Sequence, residues 1–499
     1  MVYVNSDKGQ TYLMPQNIAD LFPKNHVCYL IEQIAESMDY SKFDLKYEGA
    51  GRPAYHPRVL IKILMMAGVD GIRSSRKISK NTHENVVYIY LAEKTHPDFR
   101  TICNFKNDNP VVIKEISWQL NKFAYKHGLI DLSHLMIDGT TIKADANNNR
   151  ILDKETIEKL RDYIDREYEK SLEVDKEEDE LYGDRGMHEL PEEFNDSEKR
   201  RPIIGQIVKK INQAINKKND EEIKEIKGNL NHINSAMEKQ KLKKYSPTDP
   251  DARFMLNKKG RVELCYNGQI VTDKNGLIIA DDVVQNSDDR HQLVPGVEKV
   301  EEQFGKLAEG TKVSADAGYE NGEQMQILDE RGFDLYIPGK FTATTEARQK
   351  KFSKAKFNYD EKQDVYVCPE NKLLRNVGSY YRKKEQRHLT IYKCSDCLNC
   401  PNHDECVGKK TEQRSLHAVA GDKLFNRIKE KLKTKEGKAV YKLRQQRVER
   451  SFGDLKHNKN FRTFFVRGIE KVKTEFKLGC IIHNLVLINN LINKKPTPS

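Results

Sequence analysis

The segment from Arg261 to Val284, RVELCYNGQIVTDKNGLIIADDVV, constrains the fold more than any other stretch of this chain. Apolar and polar residues alternate on both sides of Lys274-Asn275-Gly276, and an Asn-Gly step between two alternating runs is a strong hairpin signal. Single strands flank it in sequence. Ahead of it, HLMIDGTTIKAD (His134 to Asp145) has Leu135 and Ile137 in a short apolar strand that Asp138-Gly139 is expected to close as a turn. Behind it, a helix is expected from Leu293 to Leu307. KVSADAGYEN then places Asp316 just past a strand, ahead of Ala317-Gly318. Phe333 to Ile337 (FDLYI) reads as one more buried strand, ended by Pro338-Gly339. Strand–Asp, hairpin, helix, strand–Asp, helix, strand is the order of a mixed α/β sheet that presents carboxylates at its rim.

The last element of that order is Tyr441 to Lys456, YKLRQQRVERSFGDLK. With no Pro and a single Gly it reads as a helix. Seven residues are close to two turns, so Glu449 and Lys456 are expected on one face. Between Tyr441 and Glu475 there are ten Lys or Arg against four acids. A carboxylate within so much positive charge suits a site where a metal-bound acid meets a polyanion, and a solvated helix with Glu paired to Arg is the plain alternative. The whole chain agrees in sign: 86 − 75 = +11 over 499 residues, with a sequence pI of 8.9. That balance favours a nucleic-acid partner. No run approaches eighteen apolar residues, and the first thirty residues lack a signal-peptide pattern. The chain is therefore expected to be soluble and cytoplasmic, with no membrane partner.

Asp138, Asp316 and Glu449 are separated by 316 − 138 = 178 and 449 − 316 = 133 residues, so only the fold can bring them together. Three converging carboxylates can hold two divalent cations about 4 Å apart for in-line phosphodiester chemistry. Hard oxygen ligands suit Mg²⁺ (or Mn²⁺). Asp145 is the competing first acid, ranked lower because it lies beyond the expected strand end.

Around this core the chain divides into expected domains. Residues 1–125 form a helical domain for DNA binding or dimerisation, with Pro57 opening a helix whose Leu60, Ile63, Leu64 and Ala67 share one stripe. Arg73, Arg76, Lys77 and Lys80 could there touch a DNA backbone or merely charge a scaffold surface. Residues 126–150 carry the first strands and the first Asp. Residues 151–250 hold two stripes at three- and four-residue spacing, Ile157, Leu160, Ile164, Tyr168 and Ile223, Ile226, Leu230, Ile233, Met237. Between the stripes lies an acidic run, Glu173 to Asp184. This predicts a helical hairpin or coiled-coil insertion, paired within the chain or with a second subunit. Residues 251–345 complete the core, and 426–499 form its C-terminal helices.

Five of nine Cys crowd into residues 346–425, which argues for metal more than disulfides in a cytosolic chain. Cys394, Cys397 and Cys400 make two CxxC steps, with Cys368 upstream and Cys406 and His403 downstream. The spacing resembles a zinc knuckle, with Cys368, Cys397, Cys400 and Cys406 the first choice of ligands and Cys394 the substitute. Reduced, buried Cys is the plain alternative. Cys28, Cys103, Cys265, Cys480 and the sole Trp, Trp118, read as core, and His134, His291 and His457 as structural.

Taken together these segments resemble the bacterial insertion-sequence transposases with an RNase H-like DDE nuclease core, closest to the group with a Y-x2-R-x3-E-x6-K signature. Glu449 and Lys456 fit E-x6-K; MIDGTTIKA and VSADAGYEN are similar to the two Asp blocks; GRPAYHPRVLIKILMMAG and SSRKISKNTHENVVYIYL are similar to the N-terminal helical domain. Tyr441 and Arg444 lie one residue too far from Glu449 for the strict signature, whose positions hold Lys442 and Gln445. On an ideal helix Arg444 is about 140° from Glu449, so either the helix is irregular or Arg447 and Arg450 take over part of the phosphate contact. The resemblance implies metal-dependent hydrolysis at element ends and strand transfer into target DNA. Asp138, Asp316 and Glu449 would be the ligands, Lys456 would bind phosphate, and a homodimer would hold paired terminal repeats. A retired DNA-binding relative and a nuclease without strand transfer are the competing readings.

Overall fold

The computed structural model describes residues 17–40, 55–177, 202–217, 219–257, 260–339, 351–360, 363–382, 387–407, 411–419 and 422–494. Most of the acidic run, from residue 178 to Asp184, lies outside them. Two compact units are formed, one from residues 1–140, 267–462 and 473–499, the other from 141–266 and 463–472. No described helix is long and apolar enough to cross a membrane.

The first unit opens with α1 (Val27–Glu36), α2 (Pro57–Val69), α3 (Ser75–Glu84), α4 (Val86–Leu91), α5 (Phe99–Asp108) and α6 (Pro110–Lys126). Pro57 starts α2 where no amide partner is needed, and the His56 ring accepts from the Arg58 amide. Leu60, Ile63, Leu64 and Ala67 are buried as expected. Arg73 is no solvent-facing cation: its side chain is buried against Glu475 at 2.9 Å, with Lys106 at 3.7 Å from the same carboxylate. Trp118 is not core. It is 41% exposed, with the Lys122 ammonium 4.7 Å from its ring. Ile113, Ile116, Leu120 and Ala124 form the buried stripe of α6, and Trp118, two residues from Ile116 and Leu120, falls on the far side. Cys28 and Cys480 are buried as expected, whereas Cys103 is half-buried.

Next comes β1 (His134–Lys143), which runs straight through Asp138-Gly139, so the expected turn does not form. Gly139 serves close approach instead. A Cβ there would stand 2.6 Å from Asp289 Oδ1 and 3.1 Å from Asn267 Oδ1.

In the second unit β2 (Leu152–Asp153) leads into α7 (Lys154–Glu177), α8 (Pro202–Asn216) and α9 (Asp220–Lys239), and β3 (Lys244–Tyr245) pairs back on β2. Ile157, Leu160 and Ile164 of α7 pack with Ile223 and Leu230 of α9, but also with Val208 and Ile211 of α8. Among the described residues the insertion is therefore three packed helices, not a hairpin, and this seam closes within the chain. β4 (Arg253–Leu256) pairs antiparallel with the first residues of β5 (Val262–Thr272), where Cys265 is buried.

The remainder of β5 belongs to the first unit. There it pairs antiparallel with β6 (Ile278–Val284) across the expected hairpin. Asp273 Oδ1 accepts from the amides of Asn275 and Leu277, and Gly276 supplies a φ of +92°. Then follow α10 (Leu293–Phe304), β7 (Lys312–Ser314), α11 (Gly322–Glu330) and β8 (Asp334–Tyr336). Strand order in this unit is β6-β5-β1-β7-β8, with β7 parallel to both neighbours. Leu135, Ile137, Val271, Val313 and Leu335 of these strands join the N-terminal helices in one apolar core.

A second antiparallel sheet holds β9 (Asn358–Asp360), β10 (Val365–Val367), β11 (Leu373–Arg382), β12 (Arg387–Cys394) and β13 (Ser415–Val419), in the order β13-β12-β11-β10-β9. The chain ends with α12 (Asp422–Lys433), α13 (Lys435–Gly453), a π-helical turn (Asp454–Asn458) and α14 (Ile469–Lys494).

Because the helical seam of the second unit is internal, Leu160→Ala should cost about 2–5 kcal/mol of that unit's stability through a core cavity. Urea unfolding should show the same loss at low and high protein concentration. A loss that shrinks as concentration rises would place the seam between subunits.

Candidate active site

Register brings the first two acids together. β1 and β7 are parallel with His134 opposite Lys312 and Met136 opposite Ser314, an offset of 312 − 134 = 178. Asp138 and Asp316 are also 178 residues apart, so both strands deliver an Asp to the same level, on neighbouring strands about 4.8 Å apart. Asp316 caps the short turn after β7, accepting from the Gly318 amide at 2.8 Å. Burial pushes the Asp138 carboxyl up to about 7. The Arg444 guanidinium opposes that rise, and the charges of Asp316 and Asp289 add to it.

Asp289 is a third acid at this place that the sequence reading misses. Its Oδ1 accepts from Asn267 Nδ2 at 2.7 Å and Gln269 Nε2 at 2.6 Å. Gln269 in turn accepts from the hydroxyl of Tyr319, which is fully buried. Burial raises the Asp289 carboxyl above the ordinary range, with the two amide donors working against that. Asn267 and Gln269 are 3% and 6% exposed, on a strand where Tyr266, Ile270 and Val271 are also buried. Two buried amides at i and i+2 point to a polar partner across one sheet face, and that pattern is the available signal.

From α13 the site receives Arg444 and Tyr441. Arg444 is buried, with Nη1 3.6 Å from Asp138 Oδ2 and its guanidinium 5.2 Å from the Tyr441 ring centroid. Its Nε and Nη1 have no hydrogen-bond partner among the described residues, so buried donors stand beside the carboxylates ready for acceptor oxygens. The irregularity lies past Glu449: α13 ends at Gly453, and Lys456 sits in the π-helical turn. Lys456 Nζ donates to Thr140 Oγ1 at 2.6 Å, two residues along β1 from Asp138. The Glu449 side chain is exposed. Among the described residues, no group of three His, Cys, Asp or Glu side chains is drawn together tightly enough to hold a metal ion. Arg447 and Arg450 instead line a cavity of about 570 Å³ with His457, Asn458 and Asn275.

His134 is buried, with Nε2 2.8 Å from Ser314 Oγ, and burial lowers its imidazole to about 4. In the second unit Asp145, the competing first acid, lies beyond β1 and pairs with Arg467 Nε at 2.9 Å.

The cysteines gather at one end of the second sheet. Cys368, Cys394, Cys397, Cys400, Cys406 and His403 line one small cavity. Cys368 Sγ accepts from the Lys372 amide at 3.2 Å and Cys397 Sγ from the Arg414 amide at 3.4 Å. Burial raises the Cys406 thiol, and the proximity of Cys397, Cys368 and Cys400 adds to it. Burial likewise pushes Cys394 up to about 12.

A family described as Transposase DDE domain matches residues 367–488, from the cysteine-rich sheet through α13 into α14. A family described as Transposase domain (DUF772) matches residues 16–108, the first five helices. No curated protein matches the chain.

The raised Asp138 value carries a pH signature. Its folded value, about 7, exceeds the unfolded value of about 3.9, so folding favours the neutral acid. That contribution is full below about pH 4 and is lost as pH rises to about 7. In metal-free protein Asp138→Asn should flatten the fall in stability across this window by up to about 4 kcal/mol. A smaller slope should persist from Asp273, which burial pushes up to about 6. Denaturation at stepped pH checks this; an unchanged slope in the variant would contradict it.

Proposed function

The chain belongs to the insertion-sequence DDE transposases, and from that premise we propose that it binds the ends of its element and cuts and joins DNA beside Asp138 and Asp316. The observation that carries this reading is three neighbouring carboxylates, Asp138 within β1, Asp316 just past β7 and Asp289 in the loop before α10, with the buried Arg444 guanidinium beside Asp138. The strand order supports reading the sheet as an RNase H-like core.

Like charges held this close favour a hard cation, and oxygen ligands suit Mg²⁺ or Mn²⁺. Such ions would activate water or a 3′-hydroxyl and stabilise the leaving oxygen. Asp138, Asp316 and Glu449 are the proposed ligands. Glu449 enters no hydrogen bond or ion pair among the described residues, so turning it inward breaks none of those described. Arg444, with its unsatisfied Nε and Nη1, would hold a phosphate oxygen next to the scissile bond. Lys456, bonded to Thr140 two residues along β1 from Asp138, would take a neighbouring phosphate. Tyr441 packs the Arg444 guanidinium, while Arg447 and Arg450 extend the positive surface along the DNA. Two chains would act as a homodimer on paired terminal repeats, in the bacterial cytoplasm where the host DNA lies.

A structural Zn²⁺ on Cys368, Cys397, Cys400 and Cys406, with Cys394 as substitute, is part of the same proposal. The amide-to-sulfur hydrogen bonds at Cys368 and Cys397 support it, because such donors favour thiolates over thiols. Metal there would supply much of the folding energy of the small sheet.

Cleavage and joining of DNA carrying the element's ends, in Mg²⁺ or Mn²⁺, tests the reading. Asp138→Ala, Asp316→Ala and Glu449→Ala should each lose more than about 100-fold in joined product while DNA binding persists. Binding without cleavage by the wild type would favour a retired DNA-binding protein, and cleavage without joining a nuclease. For the zinc, one equivalent should be released by a strong chelator, with loss of protection in β9–β13. Metal-free protein of unchanged stability would reject the site.

A further inference from the structure

The turn that carries Lys456 is joined to the N-terminal helices by a reciprocal pair of caps, both within the first unit. The first closes α2. A helix leaves its last carbonyls without backbone donors, and its dipole favours a cation there. Val69 is the last residue of α2, and its carbonyl accepts from Lys459 Nζ at 2.9 Å. Lys459 is only 6% exposed, and Asp454 and Asp70 supply its opposing charge. Gly71, at φ +69°, lets the two segments close, since a Cβ there would stand 2.9 Å from the Asn458 carbonyl oxygen.

The second cap runs the other way. Asn460 has a left-handed φ of +59°, and its carbonyl accepts from Arg73 Nη1 at 2.7 Å. Asn takes that conformation more readily than most residues, and the Arg73 contact fixes where the carbonyl points. The same guanidinium lies 4.2 Å from the Phe461 ring centroid and pairs with Glu475 of α14. Between the caps the turn is closed on itself, with the amides of Lys459 and Phe461 donating to the carbonyls of Asp454 and Leu455. Residues 69–73 hold its far end, as His483 holds its near end at Asp454. Lys456 lies between these two supports, with Nζ on Thr140. We infer that Arg73 and Lys459 are positioning residues, which keep this turn where Lys456 can meet a phosphate beside Asp138. The inference rests on the role proposed for Lys456, and it gives the segment from Val69 to Arg73 a part in the cutting and joining of DNA.

The test uses the full chain and DNA carrying an element end, in Mg²⁺, with the joining rate at saturating DNA measured apart from affinity and melting temperature. Lys459→Met keeps the apolar stem and removes the donor to Val69. It should slow saturated joining on the order of 10- to 100-fold, the cost of a displacement of about 1 Å, while affinity falls far less. Arg73→Gln should act alike. Arg73→Lys keeps a donor for Asn460 and a charge for Glu475, so it should fold and recover most of the lost rate. A purely structural joint would lower the melting temperature of these variants and leave the saturated rate of the folded protein unchanged. That result, with a wild type that joins DNA, would overturn the positioning role alone. Lys456→Ala joining as fast as the wild type would remove Lys456 from the site and the positioning role with it. A wild type that joins no DNA would overturn the proposed function and this inference together.

Discussion

Repulsion among Asp138, Asp316 and Asp289 is the constraint that the rest of the site answers. Parallel register alone places the first two side by side, and the chain then brings a third carboxylate against them. Each neighbouring feature reduces that cost. Gly139 leaves out a side chain where Asn267 and Asp289 close in. Asn267 and Gln269 donate to Asp289, Tyr319 fixes Gln269, and Arg444 brings a buried positive charge within 3.6 Å of Asp138. The balance still leaves the Asp138 carboxyl pushed up to about 7 by burial and by the neighbouring acids. A divalent cation would reverse that, lowering the carboxyl value and ordering the acids around itself.

The C-terminal helices are locked to the sheet by polar contacts that fix where α13 delivers its side chains. Asn484 of α14 exchanges two hydrogen bonds with the Ile278 backbone of β6, acting as a piece of strand. His483, beside it, bridges the hairpin carbonyl of Gly276 to Asp454, the first residue of the π-helical turn. The turn that carries Lys456 is thus tied to the same hairpin that positions Asn267 and Gln269. A change in the hairpin would be felt both at Asp289 and at Lys456.

Much of this was legible in the residues, and the failures have physical causes. The hairpin, the strands before Asp138 and Asp316, and the helix from Leu293 follow local patterning and turn chemistry, so they could be read directly. Asp138-Gly139 was misread because a glycine needed for close approach looks, in sequence, the same as one needed for a turn. Trp118 was misread because its apolarity outweighed its phase on α6. Arg444 could not be placed from helix geometry alone: its distance from Glu449 around the helix was clear, but which face meets Asp138 depends on tertiary contacts. Asp289 was hidden because its role arises from two amides about twenty residues earlier in the chain. The three-helix packing of the second unit shows the same limit, since spacing identifies a stripe and not its partner.

One structure would test the central claim most directly: the protein with Mg²⁺ and an uncleavable DNA end bound. The account predicts Mg²⁺ about 2.0–2.1 Å from oxygens of Asp138, Asp316 and Glu449, with Glu449 swung inward from its exposed position and Arg444 on a phosphate oxygen. Mg²⁺ held by Asp138, Asp316 and Asp289 while Glu449 stays in solvent would contradict the assignment of the third ligand. Mg²⁺ and the scissile phosphate bound away from Asp138 and Asp316 would contradict the account as a whole.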